Sequence, residues 1–357
     1  MVDSPFPSLG LASVINASGK MTALGGSAQA VSVAAALEAA AKYHVEMSEL
    51  RRVAGLQVAA RSGADAGSIT SGAAAGIAIG VAAMICDDDP ARVSEIPNPS
   101  TERREILLVP EHNVNFGAPI EQMVRLGGGL PRFIAREEMA GSVSAKTAGL
   151  VYVQSHHTRG DSVKLADLVE IARAAKIPLL VDAAAEEDLQ TYITQGADLV
   201  TYSGGKAIAG PTIGFIVGGA HWVELCELQN RGIARPMKVG KEQIVALLMA
   251  LAAYPPPRSE IVLDALQTGL AGLHGLRVSL IQDRAGRDIT RVGILSNDAA
   301  WLRALAGYLR AGEPAIYTRT HEIDEGHLLF DVRELNMDQI ALIVAKVDRF
   351  LQDADVS

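Results

Sequence analysis

The chain has 357 residues, 49% hydrophobic and 20% charged, an ordinary globular composition with ample core material. Its formal net charge of −9 argues against generic nucleic-acid binding, and aromatics at 4% leave the core to small and aliphatic side chains at close range. Cys86 and Cys226, far apart in sequence, suggest no disulfide framework, and the opening MVDSPFPSLG shows no secretory pattern, so a cytoplasmic protein is expected.

In chain order, residues 1–30 are rich in Gly, Ser and Pro and read as an arm lying over another surface. Ser71 to Cys86, SGAAAGIAIGVAAMIC, carries no charge but falls short of the ~20 apolar residues a membrane span needs. Its small residues predict a helix buried on all sides, and no membrane association. The runs 105–110, 130–135, 149–155, 177–184, 197–203 and 214–219 are continuously apolar, as parallel strands covered on both faces should be. Helical patterns lie between them, such as 165–176 with Asp161–Ser162 as its start signal. This alternation predicts an α/β fold with a mostly parallel, doubly wound sheet over 31–245.

A smaller α+β domain is expected over 246–357. The helix EQIVALLMALAAY should stop at Pro255–Pro257, which cannot continue it. Two strands follow, LRVSLIQD and ITRVGILS, then a helix from about Asn297 to Arg310. AIYTRTHEI and HLLFDVREL flank Asp324–Glu325–Gly326 and read as a hairpin. A last helix takes Asn336 as its cap.

The stretch TYSGGKAIAGPTIGFIVGG places Lys206 between an apolar run and a glycine-punctuated turn, a setting that a solvated lysine does not need. Ligands of open α/β sheets bind outside the carboxyl ends of the strands. Asp182 ends one strand run, and Ser203 and Lys206 follow another, so the three gather at one rim. Their joint use is to hold pyridoxal 5'-phosphate: Lys206 as the Schiff-base amine, Asp182 on the pyridine nitrogen, Ser203 on the phosphate. Thr70, Ser71 and Gly72 stand where the buried helix begins, and free amides with the helix dipole favour a dianion there. The competing readings are structural: Asp182 as a helix cap, and Thr70–Gly72 as a helix start.

Rival motifs fail on count. A phosphate-binding loop needs glycine where Val200 stands and Ser or Thr where Ala207 stands, and no G-x-G-x-x-G occurs. His112 and His156–His157 lack metal-ligand spacing, so no metal is expected.

The lysine segment SGGKAIAGPTIGFIVG closely resembles that of the fold-type I pyridoxal-phosphate group containing seryl-tRNA selenium transferase (selenocysteine synthase) and D-glucosaminate-6-phosphate ammonia-lyase. VINASGKMTALGGS, YHVEMSEL, TSGAAAG, VDAAAEED, RPMKVGKE and FDVREL extend the resemblance along the chain. It implies Lys206 and Asp182 as catalytic residues and Thr70, Ser71, Gly72, Ser203 and His112 as cofactor contacts, with His112 stacked on the ring. It also places Arg333, on a strand of the small domain, at a substrate carboxylate. Lys20, Arg235, Lys238 and Lys241 are candidates for an anionic substrate tail. Gly205 stands where selenium transferases usually carry an acidic residue, and no N-terminal tRNA-binding domain precedes the catalytic part; both favour the ammonia-lyase side.

The expected activity is α,β-elimination from a small hydroxylated, and in some cases phosphorylated, amino acid by a homodimer or larger even assembly. Racemisation, aldol cleavage and selenium transfer need the same core residues, and a cofactor-binding regulatory protein is the non-enzyme alternative. Tyr202 precedes the lysine segment on a strand whose alternation turns it away from the site.

Overall fold

Val14–Ala17 forms a strand, β1, that buries Ile15 and Ala17. The structure, a computed structural model, describes residues 4–87, 89–115, 117–155, 163–255, 260–284 and 287–355. His156–His157 and the start signal Asp161–Ser162 lie outside them. The chain divides into a larger unit, Gly26–Pro256, and a smaller one in which Met1–Gly25 joins Pro257–Ser357.

The larger unit begins with α1 (Val31–Ala41) and α2 (Met47–Ser62), which lead into β2 (Ala66–Thr70). α3 (Ala73–Cys86) follows at once and buries every residue but Ala74 and Ala75, as its uncharged sequence predicts. Then come β3 (Glu105–Leu108), α4 (Ile120–Leu126), β4 (Leu130–Phe133), β5 (Thr147–Val153) and α5 (Leu165–Ala175). β6 (Leu179–Asp182), α6 (Thr191–Gln195), β7 (Leu199–Ser203) and β8 (Gly214–Gly218) precede α7 (Ala220–Leu228) and α8 (Lys241–Ala252).

These strands make one sheet in the order β2-β8-β7-β6-β5-β3-β4. Leu150 and Tyr152 of β5 face one core while Val151 and Val153 face the other, so the central strands are covered on both sides. Two expectations need correction. β8 runs antiparallel to both neighbours. The link from β7 is folded back on itself, with the Gly204 N–H donating to the Ile213 carbonyl at 2.8 Å and that of Gly210 to the Gly204 carbonyl at 2.8 Å. A parallel return needs a crossover of roughly a dozen residues or more. β4 is an edge strand rather than a buried one, with Leu130 and Phe133 exposed.

The smaller unit adds α9 (Glu260–Ala271), β9 (Arg277–Gln282), β10 (Thr290–Leu295), α10 (Ala299–Ala311), β11 (Ala315–Thr318), β12 (His327–Phe330) and α11 (Met337–Asp355). β12-β10-β9 is an antiparallel sheet, and β1 pairs parallel with β11. The N-terminal stretch therefore enters the packing of this unit through a strand, where an arm was expected. The hairpin expected across Asp324–Gly326 does not form: β11 and β12 belong to different sheets, joined by a lone bridge between Arg319 and Leu329. A 3₁₀ turn, Ile323–Glu325, and Gly326 at φ 86° fill the link, so β12 leaves β11 for β10. Asn336 caps α11 as expected, accepting from the Gln339 N–H at 3.0 Å while the Gln339 side chain accepts from its own N–H at 3.0 Å. Among the described residues no helix is long and apolar enough to cross a membrane.

Candidate active site

β2, β6 and β7 run in one direction, so their carboxyl ends lie along one rim of the sheet. Thr70 ends β2, Asp182 ends β6 and Ser203 ends β7; His112 follows β3 at the same rim. The Val153 N–H at the end of β5 donates to His112 Nδ1 at 3.3 Å, and Val153 pairs in register with Asp182. The rim thus brings together the residues that sequence reasoning assigned to the cofactor.

Lys206 sits in the folded-back loop between β7 and β8, half-buried. Ser27 holds this loop: its hydroxyl lies 3.1 Å from the Gly205 carbonyl and 3.3 Å from that of Lys206, donating to the pair. Asp182 is buried, and its Oδ1 accepts the Ala184 N–H at 3.1 Å. Burial pushes its carboxyl up to about 6, while the Lys206 ammonium and the Ala184 amide pull it back. Asp182 is thus a buried carboxylate at a strand end, within electrostatic range of Lys206.

The turn after β2 shows how an anion fits. The Thr70 hydroxyl is buried and donates to the Gly72 carbonyl at 2.9 Å, so this side chain shapes the turn. Ser71 and Gly72 are half-buried, and no side chain caps α3. The first-turn amides of α3 therefore have neither an intrahelical partner nor a side-chain cap. Gly214 permits this: a Cβ there would lie 2.5 Å from the Gly72 carbonyl carbon and 2.8 Å from the Ala73 nitrogen. Gly214 also stands in register with Thr70 on one side and Ser203 on the other. An uncapped helix start flanked by Ser71 and Ser203 suits a phosphate dianion, and Asp182 beside Lys206 suits the ring and aldehyde of pyridoxal phosphate.

His112 is fully covered, and its Nε2 has no hydrogen-bond partner. Burial lowers its pKa to about 4, so the ring is neutral, and acceptance by Nδ1 puts the proton on Nε2. Its ring meets Tyr152 edge-on at 4.6 Å. Tyr202 turns away as expected: it stacks on Phe215 and donates to the Leu189 carbonyl at 3.1 Å. Sequence reasoning missed Tyr152, Ser27 and Gly214. Gly214 had a signal, a lone glycine opening an apolar run after Gly210–Pro211; the other two had none.

Arg235 lies exposed on a 3₁₀ turn, Arg235–Met237, and Lys238 is exposed after it. Lys241 pairs with Glu242 and donates to the Ala41 carbonyl at 3.3 Å. Lys20 and Arg333 come together in the smaller unit, where Lys20 pairs with Glu334 at 3.7 Å. Arg333 is on the turn after β12 rather than on a strand, because the pairing with β10 ends at Phe330. It grips Asp331 with two bonds, Nε to Oδ1 at 2.9 Å and Nη2 to Oδ2 at 2.8 Å.

Known proteins resemble this chain in sequence and fold. The chain is 40% identical to the D-glucosaminate-6-phosphate ammonia lyase of Salmonella typhimurium, over 99% of this chain and all of that one. A solved structure of D-glucosaminate-6-phosphate ammonia-lyase superposes with a TM-score of 0.92 at 39% identity, covering 99% of this chain and 100% of that one. The chain belongs to the family of this ammonia lyase. The L-seryl-tRNA selenium transferase family model matches residues 141–287, which span the rim from β5 to the smaller unit. The chain is also similar to a 5'-C-glycyluridine monooxygenase-decarboxylase of Streptomyces, 38% identical over 97% of this chain and 91% of that one. A serine palmitoyltransferase from S. paucimobilis with bound PLP–myriocin has a TM-score of 0.58 at 14% identity, over 96% of this chain and 88% of that one, and shares the fold-type I architecture alone.

Proposed function

We propose that the chain is a pyridoxal-phosphate-dependent ammonia lyase acting on D-glucosaminate 6-phosphate or a closely similar phosphorylated 2-amino-3-hydroxy acid. The observation that carries this reading is the placement of Lys206 within electrostatic range of buried Asp182 at the carboxyl rim, beside an uncapped helix start, in a chain 40% identical to such a lyase along its length. When bound, pyridoxal phosphate withdraws electrons from the α-carbon of the substrate amine joined to it. Lys206 holds the cofactor and, once displaced by the substrate amine, takes the α-proton as general base. Asp182 keeps the pyridine nitrogen protonated. Ser71, Ser203 and the first amides of α3 hold the phosphate, while Thr70 and Gly72 shape that turn. His112, expected to stack on the ring, is fully covered and packs against Tyr152 behind the rim, where it supports the end of β5 through the Val153 N–H.

Arg333 takes the substrate carboxylate by its planar fork, and Lys20 and Arg235 are assigned to the anionic tail. Loss of the β-hydroxyl, protonated by Lys206, and hydrolysis of the amine carbon give a 2-oxo acid and ammonia, with one water released and one consumed. The assignments of Arg333, Lys20 and Arg235 rest on residue chemistry and on the resemblance. We also place the protein in the cytoplasm as a symmetric homodimer or larger even assembly.

Incubation with D-glucosaminate 6-phosphate should release ammonia and 2-oxo acid in equal amounts without oxygen uptake. Oxygen consumption with carbon dioxide release would move the chain to the chemistry named for its Streptomyces relative. Rapid α-deuterium exchange with inversion and no ammonia would make it a racemase.

A further inference from the structure

Behind Arg333 the smaller unit builds a chain of alternating charges. Arg287 grips Asp283 through Nε at 2.9 Å and Nη2 at 3.0 Å. Asp283 accepts from Arg291 Nη1 at 2.9 Å, and Arg291 Nε donates to Asp331 Oδ2 at 3.1 Å. Asp331 then holds Arg333 by the two bonds given above, and its Oδ1 also accepts the Arg333 N–H at 3.2 Å. Asp283, Arg291 and Asp331 are buried, whereas the Arg333 side chain remains 24% exposed. The chain of charges thus has a buried centre and a partly open guanidinium at each end, Arg287 and Arg333.

Its backbone setting is equally specific. The Asp331 N–H donates to the Ala17 carbonyl at 2.8 Å, tying the residue to the end of β1. The next turn closes over the pair: Asn16 Nδ2 donates to the Gly19 carbonyl at 2.8 Å, and Gly19 has φ +94°. A Cβ on Gly19 would lie 2.9 Å from Asp331 Oδ2 and 3.6 Å from Arg333 Nη2. This turn is the NASGK segment of the sequence, whose role the cofactor rim leaves unassigned.

We infer that Asp331 is a positioning residue that orients Arg333 toward the substrate carboxylate, with Arg291 behind it and Gly19 over it. The inference rests on the reading of Arg333 given under Proposed function. Asp331 fixes the Nε/Nη2 edge of the guanidinium, which sets the direction of its other edge. One carboxylate facing one arginine would cancel the charge an incoming anion sees. Arg291 shares Asp331, and Arg287 offsets the Asp283 that also holds Arg291, so the triad of Arg291, Asp331 and Arg333 keeps a net positive charge. Burial works against the Asp331 charge, but Arg333 and Arg291 outweigh it and hold the carboxyl at about 2, so the triad stays ionised at neutral pH.

The test compares Arg333→Gln, Asp331→Asn and Gly19→Ala in the full-length holoenzyme, with melting temperature recorded for each. The probes are D-glucosaminate 6-phosphate as substrate and two inhibitors, D-gluconate 6-phosphate and D-sorbitol 6-phosphate, the second lacking the carboxylate. Asp331→Asn and Gly19→Ala should raise KM roughly tenfold or more, with kcat falling less, and weaken D-gluconate 6-phosphate by a similar factor. D-sorbitol 6-phosphate affinity should move less than about twofold. If Asp331→Asn does not fold, Gly19→Ala decides alone, since it displaces the pair without removing a charge. Should Arg333→Gln weaken the carboxylate probe while Gly19→Ala and any folded Asp331→Asn leave it intact, the positioning role is wrong. Equal weakening of both inhibitors overturns it as well, because that marks general damage. No effect of Arg333→Gln on either inhibitor falls instead on the carboxylate assignment of Arg333.

Discussion

Asp182 is held where its own charge is disfavoured. In the unfolded chain it titrates near 3.8, while burial, less the pull of Lys206 and the Ala184 amide, places it at about 6 in the fold. The cofactor-free protein therefore binds the extra proton between those values and loses stability as pH rises through them. The loss is complete above about pH 6 and is on the order of 3 kcal/mol at most. Asp182→Asn escapes it, so the cofactor-free variant should be the more stable of the two at pH 8 and indistinguishable at about pH 4 in urea melts. The same change should leave cofactor binding in place and reduce turnover at least ~10²-fold, because an amide cannot keep the pyridine nitrogen protonated. Unchanged turnover would return Asp182 to the role of a helix cap. Lys206 gives a companion expectation: borohydride should fix the cofactor to one tryptic peptide, the one that contains Lys206, and label on another lysine would sink the assignment.

Elements were legible wherever composition matched burial. The uncharged run Ser71–Cys86 could only be a buried helix, and α3 is one. The continuous apolar runs gave the parallel core of the sheet, but a run of that kind carries no direction. β8 reads like its neighbours and yet runs against them, since direction was decided by the closed loop around Lys206. β2 was passed over because AGSIT is built mostly of residues with weak strand preference and is made a strand by pairing with β8. The expected hairpin failed for a related reason: turn residues at Asp324–Gly326 fix a local bend but not which strand the chain pairs with next. Of the candidate site, Asp182, Ser203 and the helix start were legible because each ends or begins an element. Ser27 was not, since its contact with the Lys206 loop spans the whole sheet in sequence. Gly214 offers a test at this scale. Gly214→Ala would drive a Cβ into the backbone of Gly72 and Ala73 and displace the start of α3. Cofactor affinity should fall roughly tenfold or more, with a stability loss of about 1–3 kcal/mol from overpacking. Cofactor titration followed by absorbance would read the first effect and urea melts the second. Full affinity in a folded variant would detach the α3 start from phosphate binding.

At the scale of the molecule, the larger unit exposes apolar surface that a lone chain has little reason to carry. α1 is built mostly of alanine and valine, packs on α8, and buries only Val33 fully. Val31 is 88% exposed and Tyr43, just beyond α1, is 72% exposed; Val45 and Leu56 are exposed too. Tyr43 and Val45 fall in YHVEMSEL, a stretch that the resemblance picked out and that the rim of the sheet does not use. Large exposed apolar side chains of this kind are the material of interaction surfaces, and a second copy of the chain is the partner that a symmetric enzyme assembly requires. Sedimentation should therefore give a dimer or a larger even multiple of the 37.5 kDa chain at micromolar concentration. Val31→Asp is the discriminating variant. Val31 is the first residue of α1, where an acidic side chain favours the helix through its dipole, so the isolated chain should lose no stability. If α1 lies in the interface, the buried charge should weaken assembly at least roughly tenfold and lower activity at dilute concentration. A Val31→Asp protein that assembles as tightly as the parent would place the contact on another face, and a parent that is monomeric and fully active would remove the assembly altogether.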